Sequence, residues 1–202
     1  MRSHYIMANR QSDMLVAILA GGEGRRMGGG KPQRMLGGET LLQRAIDRVR
    51  SWECVPVVVS PHDLTTDCET IRDRKGFAGP LAGLAGAFDD ARGRECDHLL
   101  LLACDMPFLP EDVPARLAAE IGESANCAMA RNGGRDIPVC SLWDVAALEG
   151  ALPGYLAGAD RSLFGLANRL GYIGVEWEVA DPGPFFNINT PEDLAEAELR
   201  LS

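Results

Sequence analysis

The sequence predicts an α/β protein built on an open, largely parallel sheet, and three observations carry that prediction. Short apolar runs alternate with helical periodicities along the chain. Met14–Ala20 is apolar without interruption, as a strand covered on both faces is, and His98–Cys104 (HLLLLAC) is the most strongly buried strand candidate. Cap and turn residues stand between the runs, where crossover connections need them. With 202 residues, 46% of them hydrophobic and 24% charged, the chain suits a single domain with a sizeable core.

Taken in order, Met14–Ala20 (MLVAILA) reads as a central strand. Thr40 and Gln43 form a capping box before Leu42, Ala45, Ile46 and Val49, which recur at helical spacing. Val55–Ser60 (VPVVVS) is β-branched and reads as a second strand. After Gly79-Pro80, the apolar positions Leu81, Leu84, Ala85 and Phe88 predict a helix; Val113, Leu117 and Ile121 predict another after the His98–Cys104 strand. Ala125–Arg131 and Ile137–Trp143 flank Asn132-Gly133-Gly134-Arg135, a hairpin or tight-loop signal. Ile173–Val179 alternates like a strand with one wet face. Thr190-Pro191-Glu192-Asp193 starts a last helix, with Thr as N-cap, Pro at the first position and acids in the first turn. In sheets of this kind, ligands bind beyond the carboxyl ends of the strands.

Composition excludes several functions. A net charge of −9 argues against a broad nucleic-acid or membrane surface, which would need extended positive patches. No apolar run approaches the roughly 18–20 residues needed to span a bilayer. The opening MRSHYIMANRQSD lacks the apolar core of a secretory signal and reads as a loose arm over residues 1–13. Cys54, Cys68, Cys96, Cys104, Cys127 and Cys140 show no metal-site spacing and suit reduced thiols in a cytoplasmic protein. Charge is nevertheless concentrated at one place. LAGGEGRRMGGGKPQRM, residues 19–35, holds six glycines and sets Arg25, Arg26, Lys31 and Arg34 against Glu23, a local +3 that leaves −12 for the rest.

Two familiar phosphate loops fail on spacing here. A Walker A loop requires glycine where Arg25 stands and Ser or Thr where Pro32 stands; the dinucleotide fingerprint requires glycine where Met27 stands. What remains is a strand followed by glycines, whose bare amides can approach phosphate oxygens, and by basic side chains that can neutralise a polyphosphate. A plain glycine-rich connection with solvated arginines is the rival reading, and the charge asymmetry favours the anion site. Asp105, in Cys104-Asp105-Met106-Pro107 at the end of a buried strand, can hold Mg²⁺ beside such phosphates or can simply cap the turn before Pro107. His4, His62 and His98 fall outside every motif, so no histidine-centred catalytic pair is expected.

Together these residues resemble the molybdenum cofactor guanylyltransferase family, within the wider group of Rossmann-like nucleotidyltransferases. Leu19-Ala20-Gly21-Gly22 with Arg26-Met27-Gly28 and Lys31 is similar to its nucleotide loop, and Asp73 with Gly79-Pro80-Leu81-Ala82-Gly83 to its second signature. Cys104-Asp105-Met106-Pro107, Gly134-Arg135-Asp136-Ile137-Pro138 and Asn187-Ile188-Asn189-Thr190-Pro191 resemble the later motifs, in the same order. The resemblance implies a single-domain, three-layer Rossmann-like sandwich with a mostly parallel central sheet over residues 14–202, behind the flexible arm. It implies transfer of GMP from GTP to the terminal phosphate of molybdopterin, with pyrophosphate released, Mg²⁺ as cofactor and transient contact with molybdoenzymes or their chaperones.

The same resemblance assigns Arg26, Lys31 and Asp105 to catalysis, with Asp105 as the metal ligand. Leu19, Ala20, Gly21, Gly22, Lys31, Ser60, Asp73 and Asp105 fall to the nucleotide; Pro80, Leu81, Ala82, Gly83, Asn187 and Asn189 fall to the pterin. Arg135 reads either as an aid to the phosphate or pterin or as an exposed hairpin residue. The chain departs from the family pattern in three places: Gly29-Gly30-Lys31 lacks the usual acid before the lysine, Ser60-Pro61 replaces a strand-end asparagine, and Ile137 stands where a polar residue is common. Those changes touch base and ribose contacts, so a molybdopterin cytidylyltransferase or another small nucleotidyltransferase is the nearest alternative. A non-catalytic nucleotide or cofactor carrier is the alternative of another class, and the presence of Arg26, Lys31 and Asp105 together counts against it.

Overall fold

Strand β1 (Met14–Leu19) runs through the middle of the molecule because nothing in it needs water: Val16, Ala17 and Ile18 are fully buried. The computed structural model describes residues 14–22, 29–122, 125–178 and 183–201; the expected arm over residues 1–13 lies outside them. A small hairpin, β2 (Met35–Leu36) and β3 (Glu39–Thr40), follows, turning through Gly37 and Gly38 at φ 59° and 85°. Helix α1 (Leu41–Ser51) starts where the cap signal stands, with Gln43 N donating to Thr40 Oγ1 at 3.0 Å. The reciprocal half of the capping box is absent, because the Gln43 amide donates instead to Asp47 at 3.0 Å.

Then come β4 (Pro56–Val59), β5 (Glu69–Ile71), α2 (Pro80–Gly93), β6 (His98–Ala103) and α3 (Val113–Ala118). Val55, expected in β4, is outside it and 77% exposed. Helix α3 stops before Ile121, since the chain turns at Gly122, whose N–H donates to Ala125 O at 3.1 Å. The expected hairpin is present as β7 (Cys127–Asn132) and β8 (Arg135–Asp144), joined by Gly133-Gly134 at φ 58° and 74°, values that suit glycine.

Two further helices, α4 (Val145–Leu156) and α5 (Leu163–Leu170), have no counterpart in the sequence-based expectations. Gly150, Pro153 and Gly154 break the helical signal in α4. Burial of Leu148, Leu152, Tyr155 and Leu156 overrides that local reluctance, and Asp144 caps the first turn by accepting from Ala147 N at 2.7 Å. The chain closes with β9 (Tyr172–Trp177) and α6 (Pro191–Leu201).

The seven-stranded sheet has the order β5-β4-β1-β6-β8-β7-β9. All its pairings are parallel except those of β8, which runs antiparallel to both β6 and β7. Period-two alternation splits the core: Val16, Ile18, Leu100 and Leu102 pack with α1 and α3, while Leu15, Ala17, Leu99 and Leu101 pack with α2, α4 and α5. Sheet and helices thus form the expected three layers. A smaller cluster, Leu36, Leu41, Ile188 and Ala197, fastens α6 and the segment before it beside the hairpin. Among the described residues, no helix is long and apolar enough to cross a membrane.

Candidate active site at the switch of strand order

From β1 the chain winds outward to β4 and β5, then returns across β1 to build β6 on its other side. Connections therefore leave the carboxyl ends of β1 and β6 in opposite directions, and a crevice opens between those ends. The ladder continues just past the strands, with Ala20 N donating to Val59 O at 2.8 Å and Cys104 N to Leu19 O at 3.1 Å. This delivers Gly21-Gly22 and Asp105 to the rim of one cavity of about 280 Å³. Lys31, Asp73, Pro80, Gly83 and Asn187 also line it, as do Leu19 and Cys104.

At its centre Lys31 Nζ pairs with Asp105 Oδ2 and donates to Asn189 Oδ1 at 2.8 Å. The Lys31 side chain is 9% exposed and that of Asp105 14%. Three separate pieces of sequence meet there. Lys31 opens a 3₁₀ turn (Lys31–Gln33) after Gly29 and Gly30, both at positive φ. Asp105 follows β6. Asn189 arrives on the segment before α6, which is tied to Asp105 by Ile188 N donating to Asp105 O at 3.0 Å. Asp193 completes the anchor: its Oδ2 accepts from the N–H groups of Asn189 and Thr190, both at 2.8 Å. Burial alone would raise the Asp193 pKa, but these hydrogen bonds outweigh it and hold the carboxyl below its usual range.

Asp105 Oδ1 and Asn187 Oδ1 are buried oxygens without a hydrogen-bond partner. Such atoms are costly unless something occupies them, and hard oxygen donors suit Mg²⁺. Among the described residues no three His, Cys, Asp or Glu side chains gather into a metal cluster. A cation here would have one carboxylate and amide oxygens from the protein, leaving its remaining positions to phosphates, which matches how Mg²⁺ is commonly held. Cys104 adds no nucleophile: burial first, and the Asp105 carboxylate second, push its thiol up to about 12.

On the β4–β5 side, Gly21 is required by space. A Cβ there would lie 2.7 Å from Pro61 Cδ and 3.4 Å from Asp73 Oδ2. Burial raises the Asp73 carboxyl above its ordinary pKa, partly offset by the nearby His62. Helix α2 holds the Asp73 segment in place: Arg74 N donates to Ala82 O at 3.0 Å, and a Cβ on Gly86 would run into the Arg72 carbonyl. A Cβ on Gly83 would meet Leu19 Cδ2, so both glycines let α2 approach closely.

The structure therefore brings together Leu19, Gly21, Gly22, Lys31, Asp73, Pro80, Gly83, Asp105 and Asn187 on the cavity, with Asn189 bonded to Lys31. Others of the expected set stand off it. Ala20 is 4% exposed, and Leu81 and Ala82, at 1% and 0%, face the core. Ser60 is buried, its hydroxyl accepting from His62 N at 3.1 Å, and it fixes the Pro61-His62 turn. Arg135 sits exposed in the hairpin. Arg26 lies outside the described residues, as does Arg25. Val139 of β8 lines the cavity without any signal in the sequence, because only the reversal of β8 brings it there. The bond from Lys31 to Asn189, 158 residues apart, was likewise unreadable, although the Thr190–Asp193 cap that supports it was written locally.

Residues 16–169 match a family model described as the MobA-like NTP transferase domain. A protein of Bradyrhizobium sp. (strain ORS 278) named molybdenum cofactor guanylyltransferase is 39% identical over 191 residues, covering 90% of each chain. One of the same name from Rhodobacter capsulatus is 38% identical over 188 residues, covering 91% of this chain and 94% of its own. Among solved structures, the molybdopterin-guanine dinucleotide biosynthesis protein A of Archaeoglobus fulgidus superposes with a TM-score of 0.73 at 26% identity, covering 93% of this chain and 98% of that one.

Proposed function

The chain belongs to the MobA-like NTP transferase family, and we propose that within it this nucleotidyltransferase moves GMP from GTP to the terminal phosphate of molybdopterin. An oxygen of that phosphate attacks the α-phosphorus of GTP, the bond from the α-phosphorus to the bridging oxygen breaks, and pyrophosphate leaves with the electron pair. Two anions must approach in line, so the protein's task is positioning and charge neutralisation. No general base is needed, since a phosphate monoester is already largely ionised near neutral pH (second pKa ~6).

The observation that carries this reading is the buried Lys31–Asp105 pair at the switch of strand order, in a cavity that the Gly21-Gly22 turn and Asp73 also line. Backbone amides at Leu19–Gly22, with Lys31 and Arg26, receive the triphosphate and hold charge developing on the departing pyrophosphate. Asp73 accepts N–H or O–H groups of the guanosine. Pro80, Gly83, Asn187 and Asn189 are assigned to the acceptor side, while Leu81 and Ala82 support that wall from within the core. Asp105 Oδ1, with the Asn187 amide oxygen, would hold Mg²⁺, which supplies positive charge at the phosphates when bound. The acidic balance and the six thiols fit a cytoplasmic enzyme that passes its product to molybdoenzymes or their chaperones.

The test is direct. Purified protein is incubated with molybdopterin, Mg²⁺ and either GTP or CTP, and both pyrophosphate and the dinucleotide product are measured. A guanine dinucleotide formed with GTP alone is expected. A cytosine dinucleotide would leave the chemistry and overturn the base assignment; no product from either nucleotide would overturn the reaction.

A further inference from the structure

Lys31 is held in a way that a phosphate-binding lysine on an open loop need not be. Its ammonium rests against Asp105 Oδ2 and Asn189 Oδ1, while the other oxygen of the same carboxylate, Asp105 Oδ1, is buried and unpartnered, as is Asn187 Oδ1. Both atoms that the ammonium meets are acceptor oxygens. An ammonium has three donors and no acceptor, and it meets that surrounding as a hard cation would. We propose that Lys31 is a stand-in cation: in the nucleotide-free protein its ammonium sits on Oδ2 of the carboxylate whose Oδ1 would take a divalent ion, so the two cations compete for the single charge of Asp105, and Asn189 is the positioning residue that keeps the ammonium there. The inference rests on the functional reading above for the identity of the incoming ion.

Three features support the exchange. A carboxylate this buried is costly unless paired, so a resident cation is needed whenever no metal is present. Asn189 reaches the ammonium from a rigid base, held by Asp193 on one side and by the fully buried Ile188 on the other. Lys31, by contrast, follows two glycines in a left-handed conformation. Gly29 and Gly30 adopt φ 85° and 63°, and the space beside Gly30 is open. The four-carbon stem can therefore swing its charge toward an arriving triphosphate without moving β6 or the segment before α6. The consequence is coupling. The nucleotide gives Lys31 a new anionic partner and frees the carboxylate, so metal and nucleotide favour each other's binding.

The size of the effect follows from occupancy. Metal affinity falls by the fraction of time that the carboxylate is free, so a pair closed nine-tenths of the time weakens it about tenfold. Mn²⁺ binding to the nucleotide-free protein, read by electron paramagnetic resonance, measures it. Lys31→Met should bind Mn²⁺ about tenfold more tightly than the parent, whereas Asp105→Asn should not bind it. Arg34→Met removes the same charge from the same loop, where the guanidinium donates to Gly29 O at 3.1 Å, and should leave affinity unchanged. No gain in Lys31→Met, or an equal gain in Arg34→Met, overturns the proposal.

A second measurement needs no change at Lys31. Reductive methylation of the nucleotide-free protein, followed by mass spectrometry, should be slow at Lys31 and several-fold faster with saturating Mn²⁺ or in Asn189→Leu. Rates unmoved by both overturn the proposal even if Lys31→Met fails to fold. Neither readout involves nucleotidyl transfer. A protein that exchanges Lys31 for Mn²⁺ but makes no guanine dinucleotide loses the functional reading alone, and one that makes it without the exchange loses the inference alone.

Discussion

Replacing Gly86 by alanine tests how the Asp73 side of the cavity is built. Gly86 lies inside α2, where alanine should by itself help by about 1 kcal/mol, since glycine is the poorer helix former. Its new Cβ, however, would collide with the Arg72 carbonyl and crowd Arg72 C at 3.2 Å, with Arg74 N at 3.5 Å. These are backbone atoms that cannot rotate away, so the strain belongs at the upper end of the ~1–3 kcal/mol range for overpacking. The net loss is about 2 kcal/mol. For a chain of this size that lowers Tm by roughly 4–8 °C. Gly150→Ala is the control. It lies inside α4 with nothing within 4 Å of the added methyl, and it should raise Tm by roughly 1–4 °C. Thermal unfolding of the two variants side by side is the assay, with GTP titration alongside. If Gly86→Ala melts like Gly150→Ala, the close approach of α2 to the 72–74 segment is refuted. If it melts low but binds GTP as the parent does, the packing stands and its link to Asp73 fails.

Three more outcomes are expected. Asp105→Asn keeps an acceptor for Lys31 but removes the charge, and should lower transfer by about 10²–10³-fold; it should also lower Tm, because the buried Lys31 ammonium loses its counter-charge, and steady-state pyrophosphate release by the folded variant measures the loss of transfer. Burial raises the Asp73 carboxyl, so in the empty protein it holds its proton to a higher pH than a free aspartate does, and a ligand offering N–H donors prefers the carboxylate. GTP affinity should therefore rise with pH through the range just above the ordinary Asp value of ~3.9, and Asp73→Asn should abolish that dependence in calorimetric titrations. Asp193 has the opposite sign. Its lowered carboxyl contributes stability that is complete above the unfolded value of ~3.9 and disappears as pH falls through the folded one, so Asp193→Asn should flatten the acid limb of a stability–pH curve.

What was legible in the sequence was what is written locally. β1 and β6 declare themselves by unbroken apolar runs, and Asp105 by standing directly after one of them. The caps at Thr40 and Thr190 act where their side chains predict. Helix α4 was illegible because Gly150, Pro153 and Gly154 speak against it and only its burial under the sheet decides otherwise. Within Pro80–Gly83 the motif gave the segment but not the phase: Pro80 and Gly83 face the cavity, Leu81 and Ala82 the core. Asn187 and Asn189 stand in one motif and were assigned to one ligand, yet in an irregular segment they part, Asn187 on the cavity and Asn189 on Lys31. Such distinctions depend on contacts between residues far apart in the chain, such as Leu19 with Gly83 and Lys31 with Asn189, and no short window contains both partners.

The reversed direction of β8 has a consequence for how the molecule can diverge. Its amino-terminal end, not its carboxyl end, lies at the cavity, where Val139 forms part of the wall. From Val139 back to Arg135 the strand continues for four residues, a reach of roughly 13 Å at the usual rise, ending at the Gly133-Gly134 turn. The β7–β8 ribbon thus projects from a root in the core, with β9 paired to β7 as far as Asn132 and Gly134 N donating to Glu176 Oε1 at 3.3 Å. Residues added or removed at that turn change its span without shifting the register of β6 or the position of Asp105. Loop entropy opposes such changes only weakly, by about 0.6 kcal/mol for each doubling of length. Changes of length at that turn therefore leave the Lys31–Asp105 pair alone.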